Sequence, residues 1–227
     1  MNILDNPAWS ALISGNNHLS NGNEQAKYFD KEVSPFVALR ENSADSFQSL
    51  YELVPHQEPV IFISTQEIDI PGKWSVLQCV KGLQMVYGNT IIPTKQEGEL
   101  VPLTKDHVPQ MLDLTKLTNP GPFASRTIEF GHYRGVFDGD KLVAMAGQRL
   151  HVFNYAEISA VCTHPDYLGR GYARKLLTYH INRIIAESNI PFLHVRHDNE
   201  RAIKVYESLG FLKRTEVYFY ILKKAGL

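Results

Sequence analysis

Val161-Cys162-Thr163-His164-Pro165-Asp166-Tyr167-Leu168-Gly169-Arg170-Gly171-Tyr172-Ala173-Arg174 is the stretch that decides the fold of this chain. The run before it, Tyr155–Thr163, reads as a strand and is stopped by Pro165. The run after it, Gly171–Ser188, reads as an amphipathic helix. Ala173, Leu177, Ile181, Ile184 and Ile185 recur there at helical spacing, while Lys175, Asn182 and Arg183 fall off the stripe. Leu168 to Ala173 therefore joins a strand to a helix. Small residues at 169, 171 and 173 let the backbone come close to a ligand. The first N–H groups of a helix lack intrahelical acceptors, and the helix dipole makes them an anion site. Arg170 and Arg174 add charge at that end. Taken alone, such a loop supports little more than a tight turn. Neither the Walker phosphate loop nor the dinucleotide G-x-G-x-x-G pattern is present in it.

Working outward, Leu100–Leu103 reads as a short strand. A helix is expected over Asp106–Leu117, with Thr104 as its cap, ended by Asn119-Pro120-Gly121-Pro122. Tyr133–Phe137 and Lys141–Leu150 read as a hairpin turning at Asp138-Gly139. Beyond the long helix come a buried-type strand at Phe192–Arg196, a short helix at Asn199–Leu209 closed by Gly210, and an aromatic strand at Val217–Leu222. The first half is less regular. Phe36–Leu39, Val60–Ser64 and Trp74–Val80 are strand candidates, Phe47–Leu53 a short helix, and Gly15–Asn23 a loop. The stretch 86–98 reads as the crossing between halves. The expected class is α/β with a mixed α+β sheet, divided into residues 1–98 and 99–227.

The 227 residues carry a net charge of −1, which gives no reason to expect nucleic acid. The charge is uneven, however. Residues 1–98 hold 6 Lys and Arg against 11 Asp and Glu, and residues 99–227 hold 17 against 13. A polyanionic ligand is therefore expected on the second half. Two cysteines, Cys79 and Cys162, exclude a disulfide framework and suit a reducing cytoplasm. No metal-type spacing occurs, and none of the nine histidines falls in a ligand motif. The N-terminal residues do not read as a signal peptide, and no apolar run is long enough to span a bilayer.

Val161–Pro165 before the loop, with Asn199, Ala202, Tyr206 and Leu209-Gly210-Phe211 after it, resembles the coenzyme-binding core of the GNAT superfamily of N-acetyltransferases. The resemblance covers about residues 100–222. One departure is Leu168, where the family loop usually opens with Gln or Arg. The resemblance implies acetyl-CoA as cosubstrate and no metal. It implies that Val161, Cys162 and Thr163 pair with the pantetheine arm, that Gly169, Arg170, Gly171, Tyr172, Ala173 and Arg174 hold the pyrophosphate, and that Asn199 contacts pantetheine. It further implies direct transfer to an amine in a ternary complex.

Two residues are expected to carry the chemistry. Tyr206 is the candidate general acid for the leaving thiolate, against the alternative of a tyrosine filling the core. Glu157 is the candidate general base. It lies in an Ala156-Glu157-Ile158 context that some histone acetyltransferases of the superfamily share, and partial burial is expected to raise its pKa. The alternative is a solvent-facing or salt-bridged glutamate. By strict alternation Cys162 faces away from Glu157, as a small core residue. His164, His194 and His197 are expected to be structural or hydrogen-bonding. Glu129, His132 and Tyr133 are candidates for the acceptor side.

The two-part length is similar to glycine N-acyltransferase-like proteins, which implies that 1–98 is a degenerate copy of the same fold. A simple packing extension is the alternative, and homodimer contacts are left open. The expected activity is N-acetylation of a small-molecule amine in the cytoplasm, with no nucleic acid or membrane partner. A non-catalytic acyl-CoA-binding or sensing protein and a protein N-terminal or lysine acetyltransferase remain as alternatives.

Overall fold

The structure is a computed structural model that describes residues 2–88 and 99–226. A turn of 3-10 helix at Ile3–Asp5 leads into α1 (Pro7–Leu12) and the strands β1 (Ser20–Gly22), β2 (Ala26–Phe29) and β3 (Phe36–Leu39). Then come α2 (Ala44–Leu53), β4 (Val60–Ser64) and β5 (Trp74–Tyr87). The second half contains β6 (Val101–Pro102), α3 (Val108–Thr118), β7 (Arg134–Asp138), β8 (Lys141–Val152) and β9 (Tyr155–Thr163). It finishes with α4 (Tyr172–Ala186), β10 (Ile190–Arg196), α5 (Glu200–Ser208) and β11 (Phe211–Lys224). The expected crossing at 86–98 overlaps the end of β5, and from residue 89 it lies outside the described residues.

Among the described residues, the strands join one mixed sheet in the order β1-β2-β3-β4-β11-β5-β10-β9-β8-β7-β6. The expected mixed α/β class holds. One hydrophobic core joins the two halves: Leu4, Leu12, Phe29 and Phe36 pack with Phe130, Leu150, Phe192 and Val217. The Phe29 and Phe130 rings meet edge to face at 5.2 Å. Full burial of each such side chain contributes about 1.5–3 kcal/mol. On the opposite face, Leu177, Ile181 and Ile184 of α4 pack on Met85, Ile158 and Leu193.

The longest strands lie at the centre. β5 and β11 are antiparallel along their whole lengths, and β5 also pairs with β10 while β11 pairs with β4. Each half thus contributes a strand that sits beside the other half's strands. This explains why β5 runs past Val80, where the sequence suggests an end. Gly82 looks like a strand breaker but is needed there: a Cβ would lie 2.8 Å from the Phe219 ring and 2.9 Å from the Val195 carbonyl oxygen. Two further elements escape sequence reading. α1 has only six residues and is held by burial of Ala8, Ala11 and Leu12. The Asn- and Gly-rich stretch at 15–23 contains β1, with Gly22 at φ +112°.

Candidate active site

The site is built where two parallel strands part. β9 and β10 pair at only three positions, Tyr155 with Ile190, Ala156 with Pro191 and Glu157 with Phe192. Beyond Glu157, β9 pairs only with β8, and β10 turns to β5. Among the described residues, no strand lies beside one edge of Ser159–Thr163, and its backbone groups need partners. Val161, Cys162 and Thr163 all lie on this open edge.

β9 is also irregular there. One residue of β8 lies between Met145 and Gly147, whereas two of β9, Ala160 and Val161, lie between their partners Cys162 and Ser159. This is a β-bulge, and Ala160 takes the left-handed conformation within it, at φ +53°. The bulge overturns the alternation argument for Cys162. Its side chain joins Met111, Leu114, Tyr133 and Met145 on the α3 face, whereas Ala156 and Ile158 pack under α4. Burial pushes the Cys162 thiol up to about 12, so it is a small core residue as expected, on the other face of the sheet.

The fork opens toward the N-terminus of α4. Gly169 and Gly171 have φ of +78° and +79°, and a Cβ at either position would meet open space. These glycines are required by backbone conformation rather than by crowding. Gly171 is the N-cap, and no side chain caps the helix. The first intrahelical bond runs from the Lys175 N–H to the Gly171 carbonyl at 3.0 Å. The N–H groups of Tyr172, Ala173 and Arg174 thus start a 15-residue helix without intrahelical acceptors. Arg170 lies over the Tyr167 ring at 4.6 Å, and Arg174 donates to Ser208 Oγ of α5 at 2.5 Å. Leu168, the family departure, is half exposed beside them. These residues fit a pyrophosphate: uncapped donors, a dipole end and two cations surround open space.

Asn199 is the N-cap of α5, and Tyr206 on α5 packs with the cluster that includes Val161 of β9 and Leu193 of β10. Asn199 caps α5 by accepting from the Ala202 N–H at 3.1 Å, which leaves its own amide N–H groups for a ligand. Tyr206 packs against Phe211, and burial pushes its phenol up to about 12.

Glu157 is where the structure corrects the sequence reading. It is fully buried, but its pKa is not raised. Burial alone pushes the carboxyl up. The Arg149 guanidinium outweighs that effect, with bonds at 2.8 and 2.5 Å, and His194 adds to it at 2.7 Å, so the group is held well below the usual carboxylate range. The Leu150 N–H donates as well, at 3.3 Å. With its acceptor sites engaged and no exposed surface, Glu157 is a salt-bridged core residue here and a poor general base. His194, expected to be hydrogen-bonding, is one of its partners. Neither Arg149 nor Gln84, which bonds His194, was suggested by the sequence. Register alone brings Arg149 on β8 to Glu157 and Gln84 on β5 to His194.

Breaking the Arg149–Glu157 pair leaves a buried guanidinium uncompensated. We expect Glu157→Ala to cost about 3–5 kcal/mol in urea unfolding. The pH dependence follows from the sign of the shift. The folded pKa lies below the unfolded value of about 4.3, so Glu157 stabilises above that pH and the contribution fades as pH falls through the folded pKa. Glu157→Gln should flatten the acid limb of the stability curve. An unchanged limb would show that the pair does not govern it.

Among the acceptor-side candidates, Glu129 is paired with Arg126 at 2.8 Å. His132 is left-handed at φ +60° and exposed, and partial desolvation lowers its pKa. Tyr133 is buried against Phe123 beside Cys162. His164 caps the Pro165–Tyr167 turn by accepting from the Asp166 N–H, and His197 Nδ1 lies 3.2 Å from the Lys81 carbonyl oxygen. Among the described residues there is no cluster of three metal-ligating side chains. No helix among them is long and apolar enough to cross a membrane.

Comparison with known proteins bears on the same elements. Residues 133–220 match the family described as FR47-like protein. A crystal structure of a GNAT-family protein from Novosphingobium aromaticivorans DSM 12444 is 31% identical, with TM-score 0.92, and the match covers 100% of both chains. The chain belongs to the GNAT family of acetyltransferases. Within that GNAT assignment, the N-alpha-acetyltransferase RimI of Mycobacterium tuberculosis is 37% identical over 84 residues, 35% of this chain and 51% of its own. This chain therefore spans about half the length of that curated relative. A GCN5-related N-acetyltransferase from Kribbella flavida has TM-score 0.63 at 11% identity, over 96% of this chain and 94% of its own, and shares the fold.

Proposed function

We propose that the chain transfers an acetyl group from acetyl-CoA to a primary amine, by direct attack within a ternary complex. The observation that carries this reading is the three-position pairing of β9 with β10, which opens a slot directly toward the uncapped N-terminus of α4. In the proposal the open edge at Val161–Thr163 accompanies the pantetheine arm, and Asn199 adds an amide contact. The pyrophosphate lies on the N–H groups that follow Gly169 and Gly171. A backbone N–H near Val161 polarises the thioester carbonyl. The free amine attacks that carbonyl, the carbon–sulfur bond breaks, Tyr206 gives its proton to the departing sulfur, and the proton lost by the new amide nitrogen passes through water to restore the Tyr206 phenol. Glu157 is assigned a supporting role, because its carboxylate is already committed to Arg149 and His194.

We propose further that residues 1–98 are a degenerate copy of the unit in 99–227, as in glycine N-acyltransferase-like proteins. Support comes from topology. β3, α2 and β4 form a parallel strand–helix–strand unit, as β9, α4 and β10 do. The helix start in the first unit suits an anion poorly: Ser43 caps α2 by accepting from the Ser46 N–H, and Asp45 lies in the first turn. One coenzyme per chain is therefore expected, bound in a cytoplasmic enzyme that acts on a small amine. A protein N-terminus is the second reading for the acceptor, favoured by the likeness to RimI.

Release of free thiol from acetyl-CoA, followed with a panel of small amines and of short peptides with free N-termini, tests both readings. Turnover with small amines alone supports the first, and turnover with peptides alone the second. Calorimetric binding of about one coenzyme per chain without turnover on either set would favour a coenzyme-sensing protein instead.

A further inference from the structure

The Glu157 pair belongs to a longer chain of polar contacts. Arg149 on β8 donates to Glu157 on β9, and Glu157 accepts from His194 Nδ1 on β10. His194 Nε2 lies 3.0 Å from Gln84 Nε2 on β5. Gln84 Nε2 also donates to the Leu4 carbonyl at 2.9 Å, and Gln84 Oε1 accepts from Arg214 on β11 at 3.0 Å. Arg214 pairs with Asp5. A carboxylate can only accept, so Nδ1 of His194 carries the proton and Nε2 accepts from the Gln84 amide. Every polar atom of the Gln84 side chain then has a partner, which fixes its orientation.

The order of these residues follows the order of the strands, β8-β9-β10-β5-β11. The chain crosses the sheet at one particular level. Glu157 is the last residue of β9 paired with β10, and His194 lies two residues beyond its partner Phe192, where the strands have begun to part. The Glu157–His194 bond spans the fork where the backbone ladder stops. The first half seals both ends, with the Phe36 ring 4.7 Å from the Arg149 guanidinium and Leu4 and Asp5 at the other end.

We infer that Glu157 and His194 are positioning residues, whose bridge sets the width of the slot between β9 and β10 and thereby aligns the open edge of Ser159–Thr163 with the coenzyme. The inference rests on the coenzyme reading above for its functional part, but the strand geometry can be tested without ligand. His194→Phe keeps a ring between Phe192 and Phe219, which now meet His194 edge to face at 5.7 Å each, and removes both hydrogen bonds. His194→Asn restores a donor near the position of Nδ1 and so serves as the conservative rescue.

Two measurements decide it. In the free protein, hydrogen exchange of peptides covering Tyr155–Thr163 and Ile190–Arg196 should quicken about 10-fold or more in His194→Phe and return toward wild type in His194→Asn. By calorimetry, the acetyl-CoA dissociation constant should rise by about 10-fold or more in His194→Phe, which corresponds to about 1.4 kcal/mol. The Michaelis constant for the amine should stay within about 2-fold. A purely structural role would lower the folded fraction without raising the coenzyme constant of the folded protein. Gln84→Leu cuts the chain between β10 and β5 while leaving the ring, and should move both readouts the same way by a smaller factor. It gives the answer if His194→Phe does not fold. Wild-type exchange and affinity in these variants would overturn the inference. Faster exchange in variants of a wild-type chain that binds no coenzyme would instead overturn the coenzyme reading and leave the strand bridge standing.

Discussion

Replacing Gly171 with glutamate is expected to abolish acetyl-CoA binding. Two effects combine. Gly171 has φ +79°, and a residue with a Cβ in that conformation costs about 1–2 kcal/mol. The carboxylate would also stand at the N-cap of α4, beside the free N–H groups that hold the pyrophosphate in the proposed site. It would occupy the donors and repel the ligand. Gly171→Ala separates the terms, because it carries the strain without the charge. We expect the alanine variant to bind about 10-fold more weakly and the glutamate variant more than about 1,000-fold more weakly, by calorimetry. Micromolar binding retained by Gly171→Glu would show that the loop is only a turn, and the coenzyme assignment would fail with it.

Tyr206→Phe is expected to lower kcat by about 10- to 1,000-fold while changing the coenzyme dissociation constant by less than about 3-fold. Burial pushes the Tyr206 phenol up to about 12, so it remains protonated throughout any practical assay range. The raised pKa has two consequences. The acid form is always available, but the phenol is a weaker donor than a free tyrosine toward a thiolate whose conjugate acid has a pKa of about 8.5. The catalytic gain should therefore fall in the lower part of the usual range. An alkaline limb below about pH 10 in the wild-type profile would belong to another group, such as the amine, and should persist in Tyr206→Phe. Phenylalanine keeps the edge-to-face packing on Phe211, so stability should change little. Unchanged kcat would remove Tyr206 from the mechanism and leave it as the core residue that the sequence also allowed.

Much of the second half is legible in the sequence because its signals are local. Tyr155–Thr163 is a strand with the bounds read from composition and Pro165, and the stripe Leu177, Ile181 and Ile184 faces the core. The loop glycines take the left-handed conformation that only a residue without a Cβ adopts freely. The first half is less legible for an equally physical reason. α1 is too short for periodicity to speak, β1 is held by pairing, and β2 by pairing and burial, rather than by propensity.

For the candidate site the dividing line is similar. A glycine turn before a helix, a tyrosine on the following helix and a glutamate on the preceding strand are all visible in one dimension. Their protonation and accessibility are not. Whether Glu157 could act as a base depended on Arg149, eight residues away, and on His194 and Gln84, which lie on other strands. Whether Cys162 faced it depended on one extra residue in a bulge.

The amino-acid sequence by itself therefore determined the strand–loop–helix that marks the family and the small residues that its backbone requires, because local sterics and periodicity decide those. Only the tertiary structure decided that Glu157 is an anchored carboxylate rather than a free base, and that β5 and β11 lie between each other's neighbouring strands. Both depend on register across the sheet, and register brings together charges and strands that no local spacing records.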